Sequence, residues 1–287
     1  MKINIFLVLL SCLSFFSCGS EEESSSDIAK PAADSSSETD KPTILKESEG
    51  IEKGKIKSIL KSEAGSEESS ISFMYYRSEN LNKTYKKSIN QLIYSNLYTN
   101  EEGNRKKVKS NISKKDFQES LNTFCQDYRE ITSEIDLEYD PSSISPWNMS
   151  QTFTIDTNLA SHVQLTYSYA DYTGGAHGNY GTYHYLIDRN SGKQLTINDL
   201  FSNTSELNRL VEKRFRMNYR VPKGQTLMEF GLFENAIEAN NNFYYDSKTK
   251  SINFEYNPYE IGPYSMGMAT VSIDISMLNN ILKVKIE

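Results

Sequence analysis

The hydrophobic period of this chain changes at Trp147. Before it, apolar residues recur three and four apart. Tyr85, Ile89, Leu92, Ile93 and Leu97 do so over 83–99, and Phe117, Leu121, Phe124, Tyr128, Ile131 and Ile135 over 114–137. That spacing lines one face of a helix. Ser113 with Asp116 three residues on gives the second helix a capping-box start. After Trp147 the period is two. Phe153 and Ile155 alternate with Thr152, Thr154 and Asp156, and Val163, Leu165, Tyr167 and Tyr169 with Gln164, Thr166 and Ser168. Tyr183, Tyr185 and Ile187 resume after a glycine-rich break. Strict alternation faces one row of side chains to each side of a sheet. A chain that switches in this way has to lay helices against strands.

Other segments fill out the plan. Lys55–Lys61 and Ser70–Arg77 read as strands ahead of the helices. The run Asp188-Arg189-Asn190-Ser191-Gly192-Lys193 is a turn, and Leu195 and Ile197 follow it. Leu207, Leu210, Val211 and Phe215 share a face of a third helix over 204–219, with Asn203 and Glu206 as its cap. Strands at 241–246, 251–256 and 269–275 end in a short helical tail. The expected fold is α+β, with mixed helices, mainly antiparallel sheet and two closely packed lobes, 51–190 and 191–287. The 19 Tyr and 13 Phe suit half-buried strands.

The amino terminus reads differently. Lys2 precedes an almost unbroken apolar run from Ile3 to Phe16, closed by Ser17-Cys18-Gly19-Ser20. A run of this length falls short of the roughly 20 residues that span a bilayer and fits a signal peptide. Small residues around a cysteine match a lipoprotein signal, so residues 1–17 are expected to be removed and Cys18 acylated. Cys12 offers a second cysteine, but with a shorter apolar run before it. Residues 18–50 are then a tether. From 21 to 50 there are nine acids against three lysines, a net charge of −6, whereas 51–287 carries only −2. A polar, acidic segment of this kind buries too little to offset ordering entropy. Glu21-Glu22-Glu23 fits either an acidic surface-export signal or a solvating linker. The expected location is the cell envelope, on the outer membrane or cell surface, held by lipid alone. A nearly neutral body gives nucleic-acid binding no electrostatic support. Cys125 is left without a partner cysteine, and a buried thiol is expected.

Three clusters are candidates for function. Tyr172-Thr173-Gly174-Gly175-Ala176-His177-Gly178 breaks two aromatic strands and places His177 on a tight loop. Asn257-Pro258-Tyr259-Glu260-Ile261-Gly262-Pro263-Tyr264 is forced out of regular pairing by its prolines. It reads either as a rigid cover or as a binding edge using Tyr259, Glu260 and Tyr264. The third cluster is His162, His177 and His184, whose spacing does not make a metal site. No Gly-x-Ser-x-Gly elbow is present, and no catalytic residue, cofactor or metal is assigned.

The segments Y-T-G-G-A-H-G, Asp188 to Lys193, Leu195 to Phe201, N-P-Y-E-I-G-P-Y and Gly267, in this order, resemble a known family. They look like the paired extracellular domains of unknown function in the anti-sigma factor RsiV and beside the catalytic domain of the peptidoglycan deacetylase PdaC. The resemblance covers roughly 51–285. It implies binding: in RsiV the pair is a lysozyme receptor, and in the deacetylase it accompanies the enzyme. This chain lacks the Asp-Asp and His-x-x-x-His motifs of the deacetylase domain, and no sigma-binding segment or transmembrane helix is read in it. Three readings follow. The first is an envelope binding module for peptidoglycan or a lysozyme-like protein, with Tyr172, Gly174, Gly175, His177, Gly178, Tyr259, Glu260 and Tyr264 as candidate contacts. The second is an assembly lipoprotein with another envelope protein as partner. The third is a hydrolase using Asp171, His177 or Glu260.

Overall fold

The computed structural model describes residues 52–61, 68–77, 81–99, 111–133 and 147–286, the first two stretches by strand pairing alone. The signal segment, the acidic tether, the link at 101–110 and Ile135 lie outside these residues.

Strands β1 (Glu52–Lys61) and β2 (Glu68–Arg77) form an antiparallel hairpin. Helices α1 (Lys83–Asn96) and α2 (Lys114–Ser133) follow. Then come β3 (Asn148–Asp156), β4 (His162–Tyr172), β5 (Asn179–Asp188) and the short β6 (Gln194–Leu195). The six strands lie side by side in chain order. All neighbours are antiparallel except β2 and β3, which run parallel with Ile71 opposite Met149. The two intervening helices make this possible, since a parallel pair needs a crossover of a dozen residues or more.

One face of this sheet is helical. Ile89 and Ile93 of α1, and Phe117, Leu121 and Phe124 of α2, are buried with Phe153, Leu165 and Ile187. Each such side chain contributes roughly 1.5–3 kcal/mol on leaving water. The α2 stripe ends sooner than its period suggests. Tyr128 packs on Trp147 at 5.5 Å between ring centroids, but Ile131, one turn on, is 49% exposed. The helix has by then run past its packing surface.

The second half has its own core. Short helices α3 (Ile197–Leu200) and α5 (Leu227–Phe230) flank α4 (Thr204–Asn218). Strands β7 (Phe243–Asp246), β8 (Ser251–Tyr256) and β9 (Ala269–Asp274) form an antiparallel sheet. Leu207, Val211 and Phe215 of α4 are buried with Phe254, Val271 and Ile273. Ile197 does not continue the alternation from Leu195. The carboxylate of Asp199 accepts the Thr196 N–H and hydroxyl, both at 2.9 Å, and starts a helical turn instead. The α+β class, with mainly antiparallel sheet, is therefore present in two sheets.

The sheets meet along β5. β6 pairs only with Leu186 and Ile187, so the rest of that edge would be bare. Side-chain amides cover it. Asn257 Oδ1 accepts the Thr182 N–H at 2.7 Å, and Asn242 Oδ1 the His184 N–H at 2.8 Å. The Nδ2 groups of both asparagines donate to the Thr182 carbonyl. Further along, Gln164 of β4 exchanges two hydrogen bonds with the Tyr245 backbone, as a strand would.

Candidate functional site

The two singled-out segments come together at the tip of the β4–β5 hairpin. Gly174 and Gly175 turn the tip with φ of +97° and +93°, values that side chains disfavour. Tyr172 donates to the Gly175 carbonyl at 3.1 Å and closes the loop. At Gly178 a Cβ would stand 2.8 Å from the Asp171 carbonyl oxygen, so the hairpin closes only around a glycine.

From the other half, Pro263 leads into a single 3-10 turn, Tyr264–Met266. This presents Tyr264 to the loop. Its hydroxyl donates to the Gly178 carbonyl at 2.8 Å, and its ring stacks on His177 with centroids 3.7 Å apart. His177 Nε2 lies 3.3 Å from the Tyr259 hydroxyl, and Nδ1 lies 3.0 Å from the Gly178 carbonyl. Tyr259 has φ of +67°, a left-handed backbone costing about 1–2 kcal/mol for a residue with a Cβ. It remains 55% exposed. His177 is exposed too, and Tyr264 is half-buried.

Glu260 has a different job. One carboxylate oxygen accepts the Asn257 N–H at 2.9 Å and the other the Asn240 amide at 2.7 Å. It holds the turn that aims Tyr259 and the amide of Asn257. The segment is thus both a cover and an edge: Asn257 and Glu260 fasten it, while Tyr259 stands outside.

The histidines are dispersed. His162 is fully buried opposite Asp188, and neither ring nitrogen has a hydrogen-bond partner. Burial lowers its pKa, with Asp188 opposing and Arg189 reinforcing the shift. His184 lies between the sheets, 3.0 Å from the Thr166 hydroxyl and 3.4 Å from Glu255. Among the described residues no group of three or more His, Cys, Asp or Glu side chains is placed to hold a metal ion.

The back of the same hairpin carries a feature that the sequence did not single out, although Asp171, one of its residues, is a candidate on other grounds. A cleft of about 360 Å³ opens between the sheet and the carboxyl end of α1, lined by Asn96, Gln151, Tyr167, Tyr169, Asp171 and Tyr183 among others. The three tyrosines stand parallel: Tyr167–Tyr169 at 5.8 Å and 17°, Tyr167–Tyr183 at 6.2 Å and 12°, Tyr169–Tyr183 at 6.3 Å and 8°. Strand geometry sets this, since Tyr167 and Tyr169 share a face and Tyr183 is paired opposite Tyr167. Burial raises the Asp171 pKa, partly offset by the Asn179 amide. The alternation of β4 was legible in the sequence, but not that its aromatic row continues across to β5.

Comparison with known proteins places this architecture. The family described as "Deacetylase PdaC" matches residues 20–180, more than half of the chain, and the chain belongs to it. The family described as "Protein of unknown function (DUF3298)" matches residues 198–276. Among solved structures, a member of the DUF3298 family from Bacteroides fragilis is 18% identical, with a TM-score of 0.69 over 82% of this chain and 94% of that one. A DUF3298 family protein from Pseudomonas aeruginosa PAO1 is 15% identical, with a TM-score of 0.55 over the same shares. Both likenesses are of fold. No curated protein matches the chain.

Proposed function

We propose that this family member is a lipid-anchored envelope protein, tethered through Cys18, that binds a wall glycan or a wall-degrading enzyme such as lysozyme and does no chemistry itself. The observation that carries the reading is the exposed aromatic surface at the hairpin tip. His177, Tyr259 and Tyr264 come from two distant segments and are held by hydrogen bonds and stacking before any partner arrives. Preorganised aromatic side chains lose little freedom on binding, which is why such groups dominate interfaces. Catalysis has less support. Both Glu260 oxygens are engaged in the turn, and His177 is bonded to a tyrosine and a backbone carbonyl. The name of the matched family is that of a deacetylase, yet the sequence lacks that enzyme's metal motifs.

The test is retention of the full chain on immobilised lysozyme and on purified sacculi. Retention on at least one is expected, weakened about tenfold or more by Tyr259→Ala. Cys18→Ser is expected to move the protein from the membrane fraction to the soluble one. Failure to bind either matrix would refute the binding role, and membrane retention of Cys18→Ser would refute the anchor.

A further inference from the structure

We infer that the cleft behind the hairpin is a saccharide subsite that takes one uncharged pyranose ring of a glycan. This rests on the reading of the chain as an envelope binding module, and it assigns that module a second, separate site.

Shape and chemistry agree. The volume of about 360 Å³ sits at the small end of ligand pockets, roughly 300–1,000 Å³, enough for a ring or two but not for a folded segment. Its floor is the parallel tyrosine array, whose outermost member, Tyr183, is 39% exposed. A pyranose has a face of C–H groups that packs on a tyrosine ring, with hydroxyls directed around its rim. The cleft supplies partners for those hydroxyls.

Asp171 has one hydrogen-bond partner, the Asn179 amide at a long 3.4 Å, so its acceptor capacity is largely unused. Gln151 is 4% exposed; its Nε2 donates to the Asn96 carbonyl and the Tyr167 hydroxyl, while its buried Oε1 has no partner. A buried acceptor left unmatched carries a desolvation penalty, which a ligand hydroxyl reaching it would relieve. Asn96 also lines the cleft, its amide already bonded to the Leu92 carbonyl and the Tyr185 hydroxyl.

Charge selects among ligands. Among the described residues the lining holds one carboxylate and no Lys, Arg or His. A phosphate or carboxylate would enter beside Asp171 with no cation among the described lining residues to balance it. That disfavours nucleotides and acidic sugars, and it favours a neutral ring. The site opens on the other side of the hairpin from the aromatic surface described above, with Thr173 of the tip loop in its lining: Asp171 lies on the helical face of β4, and His177 packs against Tyr264 of the second half.

The decisive experiment is titration of the full chain, less its signal peptide, with tri-N-acetylglucosamine, with cellotriose and with adenosine. The readouts are tyrosine fluorescence and calorimetry. Saturable binding of at least one trisaccharide is expected, and none of adenosine. Tyr183→Ala and Asp171→Asn should each weaken it tenfold or more. Both variants should keep the melting temperature within a few degrees, because Tyr183 is on the rim and an amide in place of the Asp171 carboxylate is isosteric and uncharged. They should also keep lysozyme or sacculus retention if that runs through the hairpin tip. Trisaccharide binding unchanged in either variant would overturn the assignment, as would binding of adenosine alone. Retention on sacculi or lysozyme with no saccharide titration would overturn the subsite and leave the binding module standing. Loss of both would overturn both.

Discussion

His162 couples the interior to protons. It is fully buried with two unpartnered ring nitrogens, and burial holds its pKa below the usual value. The unfolded chain therefore binds a proton more readily than the folded one. Stability is complete above the unfolded histidine pKa, near 6.5, and falls as pH drops through and below it, by up to about 1.4 kcal/mol per pH unit. Urea unfolding between pH 7.5 and 5 is expected to show this decline, and His162→Leu to flatten it. An unchanged slope in that variant would count against the assignment. Residue roles were only partly legible in the sequence. Glycines and prolines marked the segments around His177 and Tyr264, because backbone punctuation is local. That Glu260 is used up by the Asn257 N–H and the Asn240 amide was not legible, since its partners are fixed by a turn whose shape emerges only on folding. The contact between His177 and Tyr264 spans 87 positions, and no period links them.

At the scale of elements, periodicity foretold α1, α2 and α4 to within a few residues, and the alternating strands β3 to β5 as well. The parallel pairing of β2 with β3 left no such trace, because direction follows from the length of the crossover and not from the strands. The turn from Asp188 to Lys193 shows how one element seats another. Asp188 Oδ1 accepts from the Asn190 and Ser191 N–H groups and the Ser191 hydroxyl, which shapes the turn. The turn then docks on the start of α1: Gly192 adopts φ of +70°, and a Cβ there would collide with the Thr84 carbonyl oxygen. The Ser88 hydroxyl donates to the Gly192 carbonyl. Gly192→Ala therefore meets both a disfavoured backbone and a rigid obstacle. A loss of roughly 2 kcal/mol or more is expected in urea unfolding. A loss under about 0.5 kcal/mol would show that α1 gives way easily.

In the molecule as a whole, two cores sit on either side of a seam that carries few strand-to-strand bonds. The boundary between the two matched families falls in or beside this seam, after residue 180 and before residue 198. Asn242 and Asn257 fill the edge of β5 there with side-chain amides. Replacing both with alanine would leave the Thr182 and His184 N–H groups and the Thr182 carbonyl without these partners, at about 1–3 kcal/mol per group that stays buried. The double variant is expected to melt in two steps, one for each core. A single transition at the wild-type temperature would show that the seam is held by other contacts.

The seam has an evolutionary consequence. Pairing between backbones is indifferent to sequence, so any strand of suitable length could dock on a bare β5. Amide pairing is not: it asks for Asn242 and Asn257 from one half and Gln164 from the other. These three letters of sequence therefore add to the contacts of Tyr259 and Tyr264 with the hairpin tip in matching one half to the other. A half transplanted from a distant relative would have to bring those letters with it to cover the same edge of β5.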